Sequence, residues 1–265
     1  MIEPPLIELD HATVMRGEVR ALDDISLCVG AHESLAILGA NGSGKSTLIK
    51  LLTRELFPLN DEQHPPVKIL GQSRWVTADL HAQLGIVHSE LADLLLSIPG
   101  LRVRDAILGG LRNQLAVDCD PKASPSELAK IHAVAARVSC SDLLDRPLAE
   151  LSAGQLRRSL VARAIVHQPR ALLLDEPANG LDLLARHEMD AILRKLNAEG
   201  VGIWLITHHI EEIPGFIERV LILRQGRLIA DGFKSSVLTA PQLSQAFGIA
   251  VDVFQRGHRW YASAR

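Results

Sequence analysis

The chain is short of cysteine, of basic surplus and of long apolar runs, and each shortage removes a class of function. Its three cysteines, Cys28, Cys119 and Cys140, lie far apart with no CxxC pair. That spacing suits neither a disulfide framework nor a zinc site, and predicts reduced, packed thiols in a cytosolic protein. The 28 Lys and Arg residues are outnumbered by 31 Asp and Glu, for a net charge of -3. A basic footprint able to release counterions from phosphates is missing, so no nucleic acid is expected as a partner. Apolar runs such as Ala171–Leu174 fall far short of the roughly 20 residues that span a bilayer. Residues Met1–Asp10 carry acids and prolines where a signal peptide has a basic start and an apolar run. A soluble protein is expected, and any role at a membrane then needs a partner.

What is present is a chain of 265 residues, 47% of them hydrophobic, enough for one large core with a smaller lobe attached. Leu6–Asp10 and Ile25–Val29 read as strands, with Arg16-Gly17-Glu18 as a turn between early antiparallel strands. Ser34–Leu38 is a buried-strand run that feeds into Gly39-Ala40-Asn41-Gly42-Ser43-Gly44-Lys45-Ser46-Thr47, after which Leu48, Ile49, Leu51 and Leu52 mark a helix face. A proline-rich loop over Pro58–Pro66 precedes a strand at Val67–Leu70. Residues 89–150 read as helical, broken at Pro99-Gly100 and over Asp118–Pro125, which predicts a helical lobe inserted into the sheet. Apolar runs Ala171–Leu174 and Gly202–Ile206 bracket a helix over Leu183–Asn197, as in a parallel βαβ unit. Arg219–Leu223 and Arg227–Ala230 flank Arg224-Gln225-Gly226, a hairpin signal. In the tail, Phe233–Arg265, a helical part precedes a strand within Val251–Tyr261, and no internal repeat is visible.

Gly39-x4-Gly44-Lys45-Ser46 is a P-loop pattern in the required strand–loop–helix context. Glycines let backbone N–H groups face phosphates, and the helix start adds a positive dipole. Lys45 is the candidate for the β- and γ-phosphates and Ser46 for Mg2+. Asp175 and Glu176 end a buried strand, where open parallel sheets bind ligands. Asp175 is a metal candidate and Glu176 a general base for the attacking water, although two solvated acids at a strand end are common. Leu151-Ser152-Ala153-Gly154-Gln155 opens a helix with Ser152 placed as its N-cap, a start that suits an anion or only a capped helix.

With Arg163-Ala164, Pro169, Leu172-Leu173-Leu174-Asp175-Glu176-Pro177 and Gly180-Leu181-Asp182 following in order, the chain from Leu6 to Gly232 resembles an ATP-binding cassette (ABC) ATPase. The resemblance implies an α/β fold: a P-loop NTPase, RecA-like parallel core, an N-terminal antiparallel β subdomain and an inserted α-helical subdomain at about 89–150. It implies a nucleotide-binding domain over 1–232 and a C-terminal extension over 233–265. It further implies a homodimer or paired ABC subunits, MgATP held between the P-loop of one and Ser152, Gly154 and Gln155 of the other, Asp182 in the D-loop, and His208 as the switch histidine at the γ-phosphate. His209 is then ordinary surface, and His208, His209, Glu211 and Glu212 do not call for zinc.

Two positions depart from the family pattern. Ser89, after the strand Leu84–Val87, stands where the family has the Q-loop glutamine, and serine is too short for that reach; Glu90, or a bridging water, takes the role, or coupling to a partner differs. Met15-Arg16 occupies the place of the aromatic that stacks on adenine, and the Arg16 guanidinium can stack instead. Leu84–Leu91 with Thr207–Ile213 looks most similar to the molybdate-transport-like branch. The resemblance implies an ATP-hydrolysing subunit at the inner face of the cell membrane on a separate integral permease. A soluble ABC ATPase acting on a cytosolic protein, and a nucleotide-dependent scaffold, are the alternatives.

Overall fold

The computed structural model describes residues 4–59, 64–75, 77–116 and 123–265. Cys119, the middle of the Pro58–Pro66 loop and most of the Asp118–Pro125 break lie outside the described residues. The chain divides into two compact units, Met1–Leu80 with Gly202–Arg265, and His81–Val201.

In the first unit, β1 (Ile7–Arg16) and β2 (Val19–Val29) form the expected antiparallel pair, and β4 (Val67–Ile69) adds to β1. β1 carries one extra residue near the positive-φ His11 (φ 50), β2 carries one near the positive-φ Asp24 (φ 61), and a further shift between Val14 and Met15 adds a second extra residue to β2. The bulge in β1 keeps Leu9, Ala12 and Val14 all buried, where strict alternation would turn one outward. The two bulges are joined by His11 Nδ1 and Asp24 Oδ1 at 2.6 Å, and that bond raises the exposed His11 pKa.

β3 (Leu35–Leu38) is buried along its length between two parallel partners, β7 (Gly202–Thr207) and β8 (Arg219–Arg224). A strand covered on both faces reads as a continuous apolar run, as this one does. Trp204, 1% exposed, satisfies its indole N–H on the Glu33 carbonyl at 2.9 Å. The Arg224–Arg227 hairpin forms as expected, with β9 (Arg227–Phe233) antiparallel to β8 and Gln225 and Gly226 both at positive φ. Helix α1 (Lys45–Leu52) follows β3, and α2 (Thr77–Gln83) comes after β4. The tail adds short helices α8 (Lys234–Val237) and α9 (Ala240–Phe247), then strands β10 (Val251–Arg256) and β11 (Arg259–Ala264). Where one strand was expected, Gly257 (φ 61) turns the chain and makes two.

In the second unit, β5 (Leu84–Val87) and β6 (Ala171–Asp175) pair in parallel. Helices α3 (Ser89–Leu96), α4 (Val103–Leu111) and α5 (Pro125–Arg137) fill the expected helical stretch. Both α4 and α5 pack on α6 (Ala153–Ile165). The Arg163 guanidinium anchors this packing on the carbonyls of Ala106 and, at 2.7 Å, Gln114; burial lowers its pKa to about 10. α7 (Leu183–Ala198) completes the unit. Each unit holds parallel strands, and the α/β class with a parallel core is as expected.

Candidate functional site

In the first unit, the Gly39–Gly44 loop leaves β3 and enters α1 with Gly44 as its cap, at φ 110 and with no side-chain cap bond. A Cβ on Gly44 would meet the Ala21 carbonyl at 2.9 Å, so both conformation and space require glycine. The loop is closed by Ser43 N–H on Ala40 O at 3.1 Å and by Gly226 N–H on Ser43 O at 2.8 Å. Asn41 and Gly42 (φ 78) form its exposed tip, Ser46 is exposed in the first turn of α1, and Thr47 is buried. Ser43 Oγ is buried with no hydrogen-bond partner among the described residues. Lys45, 7% exposed, bends back so that Nζ donates to the carbonyls of Gly39 (2.7 Å) and Ala40 (3.1 Å). An uncapped helix start and a buried cation thus face one loop, the conditions for binding an anion.

Leu38 and Thr207 are register partners in β3 and β7, so Gly39 and His208 leave neighbouring parallel strands at the same end. The His208 ring packs against that of its chain neighbour His209, centroids 3.9 Å apart, and His209 is exposed, as expected of ordinary surface. Thr207 Oγ1 donates to Glu212 Oε2 at 2.7 Å and accepts the His209 N–H at 3.0 Å.

In the second unit, Val87 and Leu174 are register partners, which brings Ser89 and the pair Asp175 and Glu176 out at one end of β5 and β6. Such strand ends are where open parallel sheets hold ligands. Glu176 sits at φ 47, a conformation that costs a non-glycine residue about 1–3 kcal/mol. Arg157 of α6 lies close to both carboxylates: burial lowers its pKa, and Asp175 and Glu176 raise it in turn. Its Nη1 is buried with no hydrogen-bond partner among the described residues. No sequence motif marks Arg157. The signal was its position on α6, three residues after buried Gly154 and four before buried Val161, which places a guanidinium on an inward face.

Ser152 is the N-cap of α6, as expected, and the cap is a reciprocal box: Ser152 Oγ accepts the Gln155 N–H (3.3 Å) and Gln155 Oε1 accepts the Ser152 N–H (3.0 Å). Gly154 answers to packing, since a Cβ there would lie 2.9 Å from Ala185 Cβ of α7. Asp182 caps α7, accepting the Ala185 N–H at 2.8 Å. Ser89 is exposed as the first residue of α3, with Glu90 beside it in the first turn, where the helix dipole favours a carboxylate. In the first unit, Arg16 is exposed at the end of β1, paired in register with Val19.

A glycine loop of this geometry, set between a buried parallel strand and a helix, places the chain in the class of P-loop NTPases. Residues 22–179 match the family model described as ABC transporter. The cobalt import ATP-binding protein CbiO of Rhodobacter capsulatus is 37% identical over 223 residues, covering 84% of this chain and 76% of that one. The phosphonates import ATP-binding protein PhnC of Pseudomonas putida is 32% identical over 238 residues, covering 85% and 84%. Among solved structures, cbiO1 from Clostridium perfringens, part of the ABC transporter complex cbiONQ, superposes with a TM-score of 0.73 at 25% identity, over 92% of this chain and 94% of that one. The chain belongs to the ABC transporter family, and it is an ATPase.

Proposed function

We propose that the chain is the ATP-hydrolysing subunit of an ABC importer, working at the inner face of the cell membrane on a separate permease. The observation that carries the reading is the Gly39–Thr47 cradle with Lys45 folded onto it, in a chain that also holds Asp175 and Glu176 at a strand end. The relatives' names, cobalt import and phosphonates import, support import as the direction. Among the described residues no helix is long and apolar enough to cross a membrane, which is consistent with a separate permease.

In this reading Lys45 exchanges the Gly39 and Ala40 carbonyls for the β- and γ-phosphates, while N–H groups of residues 39–47 cradle them. Ser46 and Asp175, with Ser89 through a bridging water, would offer the hard oxygen donors that Mg2+ takes; Mg2+ when bound supplies charge neutralisation. Glu176 takes the proton of the attacking water, and His208 orients that water at the γ-phosphate. Arg16 stacks on adenine. Ser152, Gly154, Gln155 and Asp182 of a second copy close over the nucleotide, so hydrolysis needs two subunits. Residues 1–232 are the nucleotide-binding domain and 233–265 an extension.

Ser89 favours a second reading, a soluble ABC ATPase acting on a cytosolic protein, because this exposed residue of α3 lacks the reach of a Q-loop glutamine. The likeness of Leu84–Leu91 and Thr207–Ile213 to the molybdate-transport-like branch concerns the ATPase and specifies no cargo, and the relatives above carry the names of other cargoes. The test is the mass in solution of Glu176→Gln with ATP. A stable ATP-bound dimer is expected, and a monomer saturated with ATP would overturn the two-subunit site. Co-purification with a multispanning permease separates the first reading from the second.

A further inference from the structure

His208 leaves β7 on a segment that the tail of the chain holds from several sides. Next to it, Thr207 is fully buried and bonded through Oγ1 to Glu212, which fixes the 3-10 turn Ile210–Glu212 against the end of β7. Strand β11 packs on that same turn. On β11, Trp260 has its indole N–H buried without a partner among the described residues. Three residues past the turn, the Gly215 carbonyl accepts Lys234 Nζ at 2.6 Å. Lys234 is only 9% exposed; it also pairs with Glu218 at 3.2 Å, and its N–H donates to the Glu218 carbonyl at 2.7 Å. His258, in the turn between β10 and β11, lies so close that a Cβ on Gly215 would stand 3.3 Å from its own Cβ.

A buried ammonium is costly unless it is bonded, so Lys234 has its full value only while the Gly215 carbonyl stays in place. The tail therefore favours one arrangement of residues 208–218 over others, and a switch histidine depends on such placement. We propose that residues 234–265 brace the His208 segment, with Lys234 and Glu212 as positioning residues for the hydrolytic step. This rests on the role assigned to His208 above.

The test is a double-mutant cycle in the full-length chain, read as kcat and KM for phosphate release and as ATP affinity. Lys234→Met and Glu212→Ala are each expected to lower kcat about tenfold with KM and ATP affinity unchanged. Glu212→Gln, whose amide oxygen can still accept from Thr207, and Lys234→Arg are expected to retain most of the rate. In a His208→Ala background, Lys234→Met is expected to lower kcat no further, as for residues that act as a unit. An equal loss in both backgrounds, or no loss in either, overturns the brace. A normal kcat for His208→Ala alone defeats the assignment of His208 instead. If Lys234→Met does not fold, Lys234→Gln, which removes the charge and keeps a donor, decides by the same cycle.

Discussion

The phosphate cradle in the first unit and the Ser152 turn in the second are both helix starts, yet they are built in opposite ways. At the cradle the cap is Gly44, with no side chain to satisfy the helix, and the loop is held by backbone bonds to Ala40 and Gly226. At the Ser152 turn the side chains of Ser152 and Gln155 satisfy each other's backbone, and the glycine makes room for Ala185. One helix start keeps its N–H groups for a ligand. The other has already spent two of them, and what Ser152 still offers is the hydrogen of its hydroxyl. Binding at the cradle thus displaces only Lys45 from two carbonyls, whereas the Ser152 turn can take part without unwinding its cap.

Four measurements can break or sharpen this contrast. The largest effect is expected for Glu176→Gln, which removes the proposed base and should lower phosphate release by about 10²–10⁴-fold while ATP binding persists. Steady-state phosphate assays beside equilibrium nucleotide binding check it. Next, Gly154→Val should destabilise the protein by about 1–3 kcal/mol through overpacking against Ala185, with the cradle's ATP affinity unchanged; denaturant melts with and without ATP measure both. An equal loss of stability and affinity would show that Gly154 does more than make room.

Smaller effects report on each unit separately. Cys28 is exposed in the first unit, whereas burial lifts the Cys140 thiol of the second to about 11. At neutral pH, alkylation followed by peptide mapping should label Cys28 readily and Cys140 only on unfolding. The smallest effect concerns a second capping box in the same unit, Ser124 with Glu127, where Arg112 also bonds the carboxylate at 2.8 and 3.0 Å. The Arg112 bond and the Ser124 N–H hold Glu127 at about 2, below its ordinary 4.5. A folded pKa below the unfolded one stabilises above 4.5, and that contribution is lost as pH falls toward 2. NMR signals of α5 should therefore move in that acid window. Those of the Ser152 box should not, because Gln155 carries no titrating proton.

The sequence made the cradle legible because its glycines are needed where the backbone itself is the binding surface. It made β3 legible because burial on two faces leaves an uninterrupted apolar run. The bulges at His11 and Asp24 were not readable, since the extra residue in β1 is offset within a few positions by one in β2, and only the later shift at Met15 leaves the register changed. Nor was the positive φ of Glu176, which an acidic side chain does not announce. The contact of Gly154 with Ala185 was not readable either, because a glycine at a helix start looks alike whether it makes room for a helix or for an anion. Thr207 and Glu212 lie five residues apart in no regular period, so their bond appears only once the 3-10 turn is seen.

The most direct test of the central claim mixes two defective chains, Lys45→Ala, which lacks the cradle's cation, and Ser152→Arg, which blocks the turn. Each alone should be inactive in ATP hydrolysis. If one chain's cradle works with the other's Ser152 turn, a mixed dimer has one intact site, and hydrolysis should return on mixing. A stable mixed dimer that hydrolyses no ATP would contradict the account.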